Sequence, residues 1–278
     1  MVAPQVKAKA MIRVGVGGWV FAPWRGTFYP KGLPQSRELE YASGQLTAIE
    51  INGTFYGSQK PASFRRWHAE TPEGFAFSLK GPRFATHRRE LGEAGASIER
   101  FFTSGVLELG DKLGPVLWQF PATTRFDAKR FAAFLALLPA SIEGRKLRHV
   151  VEASHESFAA PAFIDLLRKH GIALALVDAA DRPAVFDLTA DFVYARLRRS
   201  TEEEPTGYPQ SALKAWAKRF QTWAAGGEPN DLPRIHAKPA PAATARDCFA
   251  YFIGGAKVRA PAAAQALLQN LGNSQKNV

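Results

Sequence analysis

Ile49-Glu50-Ile51-Asn52-Gly53-Thr54-Phe55-Tyr56 is the stretch whose reading decides the fold. Successive side chains of a strand point to opposite faces, so Ile49 and Ile51 share one face and Glu50 and Asn52 the other. A strand that is apolar on one face and charged on the other does not suit a sandwich, whose charged face would meet water. It suits a barrel strand whose outer face is covered by helices and whose inner face lines the barrel. The glycine and aromatics that follow mark a loop at the carboxyl end.

Similar strand-like runs recur along the chain at Ile12–Val16, Leu46–Asn52, Phe75–Lys80, Val116–Phe120, Leu147–Glu152, Ile172–Asp178, Phe192–Leu197 and Cys248–Ile253. Helical patterns fall between them at Ser36–Ser43, Pro61–Glu70, Ser97–Leu109, Asp127–Leu138, Ala160–His170, a short Ala184–Leu188, Ser211–Ala225 and Ala262–Leu271. Eight alternations of strand and helix in 278 residues predict an α/β fold, a single-domain TIM-like (β/α)8 barrel. The runner-up, a doubly wound open sheet, would carry a phosphate loop after its first strand. Gly15-Val16-Gly17-Gly18 misses that G-x-G-x-x-G spacing, and no cofactor is called for. The expected domain spans 12–272, with tails at 1–11 and 273–278. The Pro- and Ala-rich segment 226–246 has no functional reading from sequence.

Hydrophobic content of 46% gives ample core, and a net charge of +11 makes phosphates, nucleic acid or acidic metabolites natural partners. A solvated basic surface is the plainer explanation of the charge. Cys248 is the sole cysteine, which excludes an intrachain disulfide and fits a reducing cytoplasm. No run approaches the ~20 apolar residues of a membrane span. The reading favours a monomer.

Inward parity in a barrel selects Arg13, Glu50, Asn52, Ser78, Lys80, Gln119, Glu152, Asp178, Tyr194 and Arg196. Barrel interiors are commonly layered with branched apolar side chains, and an unpaired buried charge costs several kcal/mol. These groups must therefore pair with one another, with water or with a ligand. A closed ion-pair network is one reading. The favoured one leaves the network partly open at the carboxyl end, where Asn52, Lys80, Gln119, Asp178 and Arg196 lie. Glu50 or Glu152 is then the acid/base candidate, with Lys80 and Arg196 stabilising charge. Lys80 with Arg83 and His87 forms a candidate anion clamp, and a Schiff-base role for Lys80 is disfavoured by neighbouring carboxylates. Glu152 and His155 are spaced like metal ligands, but the nearby cations compete for those carboxylates, so no metal is assigned. Trp19, Phe21, Trp24, Phe28, Tyr29, Phe55 and Tyr56 are expected to form a lid or a stacking platform over the barrel mouth.

Several motifs carry a family likeness. Gly15-Val16-Gly17-Gly18-Trp19 resembles Gly-Thr-Ser-Gly-Trp, and Trp24-Arg25-Gly26-Thr27-Phe28-Tyr29-Pro30 resembles Trp-Arg-Gly-x-Phe-Tyr-Pro. Glu50–Tyr56 resembles Glu-Ile-Asn-Ser-Thr-Phe-Tyr, and Phe77–Pro82, Leu113–Pro115 and Gln119–Pro121 match as well. Together they resemble the YecE-like family, domain of unknown function seventy-two. The resemblance implies a TIM-like barrel and supplies no activity. After strand five the pattern Glu-Phe-Arg-His-Pro-Ser-Trp becomes Glu152-Ala153-Ser154-His155-Glu156-Ser157-Phe158, which keeps Glu and His but loses Arg and Trp. Strand seven reads Arg196-Leu197-Arg198-Arg199 in place of Arg-Leu-His-Gly, and strand eight Phe252-Ile253-Gly254 in place of Phe-Asn-Asn. The functional expectation is a small anionic or polar ligand at the carboxyl face. A nucleic-acid-binding or nuclease-like barrel and a non-catalytic scaffold are the alternatives.

Overall fold

The computed structural model describes residues 10–243 and 245–272. Its barrel strands are β1 (Ile12–Gly17), β2 (Ala48–Ile51), β3 (Ala76–Lys80), β4 (Leu113–Gln119), β5 (His149–Glu152), β6 (Ala173–Asp178), β7 (Phe192–Leu197) and β8 (Asp247–Phe252). Each pairs in parallel with the next, and β8 returns to β1, so the sheet closes into a barrel. That closure excludes the open sheet. The expected tails fall on 1–9 and 273–278, outside the described residues, and on Ala10 and Met11. Met11 is already tied to β8: its N–H donates to Asp247 at 3.0 Å and its carbonyl accepts from Cys248 N at 2.8 Å.

Alternation sorts the strand side chains cleanly. Outward residues such as Val14, Ile49, Leu79, Trp118, Leu176 and Leu197 join the large core beneath the helices. Inward residues such as Ala48, Leu117, Val150, Ala175, Tyr194 and Tyr251 form a separate cluster inside the barrel. Helix α1 spans Glu38–Gln45, α2 Pro61–Ala69, α3 Gly95–Thr103, α4 Ala128–Leu135, α5 Pro161–His170, α6 Gln210–Ala224 and α7 Ala260–Asn270. On α4, Phe131 and Phe134 meet Phe120 at 4.8 and 5.2 Å between ring centres, as expected from their shared helical face. Helix α5 stops at Gly171, whose φ of 63° is the left-handed conformation glycine adopts freely.

The sixth unit departs from expectation. No helix forms at Ala184–Leu188, and the β6–β7 connection is irregular. Five residues behind Pro183 are too few to offset the cost of helix nucleation. Instead, Thr189 Oγ1 accepts from Leu174 N and donates to the Ile172 carbonyl, both at 2.7 Å. The buried Asp187 carboxylate accepts from Ile235 N at 2.9 Å and His236 N at 3.0 Å. These two residues belong to segment 226–246, whose Leu232, Ile235 and Ala240 pack on the outer core. Arg246 staples that segment by donating to the carbonyls of Gly226 and Pro241, both at 2.7 Å. The Pro- and Ala-rich stretch thus covers the side of the barrel that the sixth helix was expected to cover.

Candidate functional site

At the carboxyl end of the barrel, β2, β5 and β7 bring Glu50, Glu152 and Arg196 together. Arg196 donates one Nη to Glu50 Oε1 at 3.0 Å and the other to Glu152 Oε2. Tyr194 donates to Glu50 Oε2 at 2.5 Å. Glu152 Oε1 accepts from Gln119 Nε2 at 3.0 Å and Arg182 Nη1 at 2.8 Å. All three charges are buried, with Glu50 0%, Glu152 1% and Arg196 4% exposed. Burial alone would raise the Glu152 pKa, but Arg196, Arg182 and the Gln119 hydrogen bond overturn it and hold the carboxyl at about 2. Burial works to lower the Arg196 pKa, and the two carboxylates more than offset it. This set is mutually satisfied apart from Arg196 Nε, which is buried without a partner.

Lys80 is different. It ends β3 on the inward face, is 7% exposed, and its Nζ stands 3.9 Å from the centre of the Phe55 ring. Among the described residues no carboxylate lies within 4.0 Å of it. Burial lowers its pKa and Arg196 adds to the effect, with Glu50 and Glu152 opposing. Its backbone is fixed on both sides. The Lys80 carbonyl accepts from Thr54 Oγ1 at 2.7 Å, and Gly81 lies so close to Trp118 that a Cβ there would come within 2.5 Å of the ring.

A cleft of about 640 Å³ opens above these groups. Its lining includes Gly17, Gly18, Trp19, Asn52, Tyr56, Gln59, Lys80, Arg196 and Lys257, so it holds three cations and no acid. The Trp24–Tyr29 motif positions two of these residues. Tyr29 donates to the Trp19 carbonyl at 2.6 Å, and Trp24 Nε1 donates to the Lys257 carbonyl at 3.0 Å. Lys257 Nζ lies 4.4 Å from the Phe21 ring centre, its pKa is lowered by burial, and it too lacks a carboxylate partner among the described residues. Trp19 meets Trp67 edge-on at 5.3 Å, giving the cleft an aromatic wall. Asn52 is half-buried and Tyr56 is 67% exposed at the rim.

Other expected groups lie elsewhere. Asp178 is not inward: the inward residues of β6 are Ala173, Ala175 and Val177, so Asp178 leaves on the outer side. There it pairs with Arg199 at 2.8 Å and accepts from Tyr208 at 3.3 Å. Arg13 lies at the amino end beside Asp247, and Arg196 alone of the three expected cations bonds to the inner glutamates. Lys80 and His87 gather around Phe55, and burial together with the charges of Lys80 and Arg83 lowers the His87 pKa. Phe55 carries Lys80 on its face and the His87 ring edge-on at 5.2 Å, and exposed Arg83 stacks over Phe84 at 5.4 Å. His155 accepts from Ser157 N at 3.1 Å and lines a small crevice beside Arg182, away from the cleft lining. No group of three or more His, Cys, Asp or Glu side chains able to hold a metal occurs among the described residues. Sequence pattern does not single out Arg182 or Lys257. Arg182 sits in a loop and Lys257 opens a single 3-10 turn, Lys257–Arg259, and their only signal is a cation a few residues past a strand end.

A closed parallel eight-stranded barrel with its polar groups at the carboxyl mouth is a TIM-barrel protein. The sequence matches the family described as "Protein of unknown function DUF72" over residues 13–278, and the chain belongs to that family. It is 29% identical over 125 residues to the UPF0759 protein YunF of Bacillus subtilis (strain 168), a match that spans 43% of this chain and only 43% of that curated relative. Among solved structures it is similar to a DUF72 family protein from Thermotoga maritima MSB8, with a TM-score of 0.68, 22% identity and coverage of 92% and 96% of the two chains. A DUF72 family protein from Enterococcus faecalis V583 is similar at a TM-score of 0.70 and 14% identity, covering 96% and 97%. At those identities the two structures speak for the fold. No helix among the described residues is long and apolar enough to cross a membrane.

Proposed function

We propose that the cleft binds a small anionic ligand, with Lys80 and Lys257 as its charge partners and Trp19 as an apolar wall. One observation carries this reading: two ammonium groups without carboxylate partners among the described residues face a cleft whose lining contains no acid. A bound phosphate or carboxylate would supply the missing counter-charge in a partly desolvated site, where charge-assisted hydrogen bonds are strongest. Arg196 contributes field from beneath, but its Nη groups are committed to Glu50 and Glu152.

Acid/base chemistry at this site falls to Lys80 rather than to either glutamate. Glu152 is fully buried, held near 2 and filled with donors, and Glu50 is sealed by Arg196 and Tyr194. Lys80 faces the cleft and has a lowered pKa, so it can give up a proton more readily than an ordinary lysine. An anion beside it would restore the ammonium, and binding at alkaline pH would take up protons. Isothermal titration with inorganic phosphate, with glycerol as the neutral control, tests the reading. Phosphate binding that weakens at least tenfold in Lys257→Met supports it. Absence of phosphate binding, or equal affinity in Lys257→Met, sinks it.

A further inference from the structure

We propose that the cleft is one end of a longer track and that its ligand class is single-stranded nucleic acid. The inference rests on the anion-binding reading of the cleft and extends it. A second groove of about 410 Å³ lies beside the cleft, and Gln59 lines both. The turn of chain from Gly53 to Ser58 forms the wall between them, with Gly53 and Tyr56 facing the cleft and Thr54, Gly57 and Ser58 facing the groove.

The groove repeats the chemistry of the cleft. Its lining carries Phe84, His87, Arg88 and Arg100 and no acid. Neither arginine, nor Arg83 stacked over Phe84, has a carboxylate within 4.0 Å among the described residues. Some surface cations elsewhere find partners, as Arg37 does with Glu40 at 2.9 Å and Arg65 with Glu108 at 2.7 Å, while others, such as Lys129, Lys169 and Lys214, have none within 4.0 Å among the described residues. What distinguishes this face is that its cations without carboxylate partners line concave volume that holds no acid.

Exposed apolar side chains gather there too. Only four large ones are exposed among the described residues, Met11, Val20, Tyr56 and Phe84. Val20 and Tyr56 line the cleft and Phe84, 60% exposed, lines the groove. A small anion fills one basic pocket and has no use for a second with exposed rings between. Exposed rings beside cations that lack carboxylate partners, Arg88 donating only to the Glu93 carbonyl among the described residues, fit a strand of linked phosphates with free base faces, since bases stack on aromatics while the cations follow the backbone. Bases in a duplex are already stacked, so the rings select the single strand.

Fluorescence anisotropy with labelled oligothymidylate and oligouridylate tests this, run beside thymidine monophosphate, inorganic phosphate and a duplex of the same length. The wild type should bind the single strands at least tenfold more tightly than the monophosphate or the duplex. The double variant Arg88→Glu/Arg100→Glu should lower the slope of log affinity against log salt by about 1.4, at about 0.7 for each phosphate no longer neutralised. Phe84→Ala should weaken binding about five- to one-hundred-and-fifty-fold, the range for one stacked base. Both variants alter exposed or half-buried groups, and unchanged thermal unfolding checks that they fold. Single strands that bind no tighter than the monophosphate, or binding indifferent to these substitutions, overturn the inference while phosphate binding leaves the cleft reading standing. Binding by neither oligonucleotide nor phosphate overturns both. A duplex that binds as tightly as the single strands overturns the choice of single strand.

Discussion

Arg13 and Arg148 at the amino end of the barrel share one carboxylate, Asp247, at 4.0 and 2.8 Å. Asp247 also accepts from Met11 N, and the two guanidinium groups lie over the Phe249 ring at 5.5 and 5.7 Å. Two cations there converge on one acid and an aromatic floor. The carboxyl end inverts the arrangement. One arginine, Arg196, is shared by two acids, and the cations left over, Lys80 and Lys257, turn to an open cleft. Charge inside a barrel does not by itself mark a site, because both ends have it. Cations without carboxylate partners beside open volume are what separate the two ends.

Removing the shared arginine should have the largest effect. Arg196→Met leaves Glu50 and Glu152 buried with neutral donors and Arg182 only, and should lower stability by roughly 3–5 kcal/mol in urea unfolding. A loss under about 1 kcal/mol would mean that water reaches the carboxylates and that the network is not closed.

Acid should act next. The folded-state pKa of Glu152 is depressed from 4.5 to about 2, so its contribution is complete above about pH 4.5 and is lost as pH falls toward 2. The amount is about 3 kcal/mol. Urea unfolding at stepped pH should show this slope in the wild type and a shallower one in Glu152→Gln; equal slopes would place the acid sensitivity elsewhere.

At the amino end the effect should be smaller. Asp247→Asn strands two partly solvated guanidinium groups and should cost about 1 kcal/mol or less, with phosphate affinity unchanged. A change in phosphate affinity would break the contrast between the two ends.

The sequence carries much of this design where polar and apolar residues alternate. Glu50 between isoleucines, and Tyr194 and Arg196 among Val193, Ala195 and Leu197, declare their faces by pattern alone. Strand β6 does not. Ala173 to Val177 is apolar on both faces, and the alternation is one of size: small alanines fit the narrow interior while leucines cover the outside. Nothing polar fixes the parity, so the sequence reading puts Asp178 on the wrong face. Arg182 reaches the mouth from a loop and Lys257 from a single 3-10 turn, both too short for a period to link sequence position to direction. The sixth helix fails for two reasons: five residues are too few to nucleate it, and Asp187 and Thr189 instead bond to backbone outside the segment.

A Lys80 that borders a solvated anion site can be told from one that merely balances the buried glutamates. Urea unfolding of wild type and Lys80→Met, each with and without inorganic phosphate, separates the two most directly. Arg196 already neutralises the glutamates, so the substitution should cost only about 1 kcal/mol, and phosphate should stabilise the wild type but not Lys80→Met. A loss of roughly 3–5 kcal/mol, with no phosphate effect in the wild type, would make Lys80 a structural counter-ion and contradict the account.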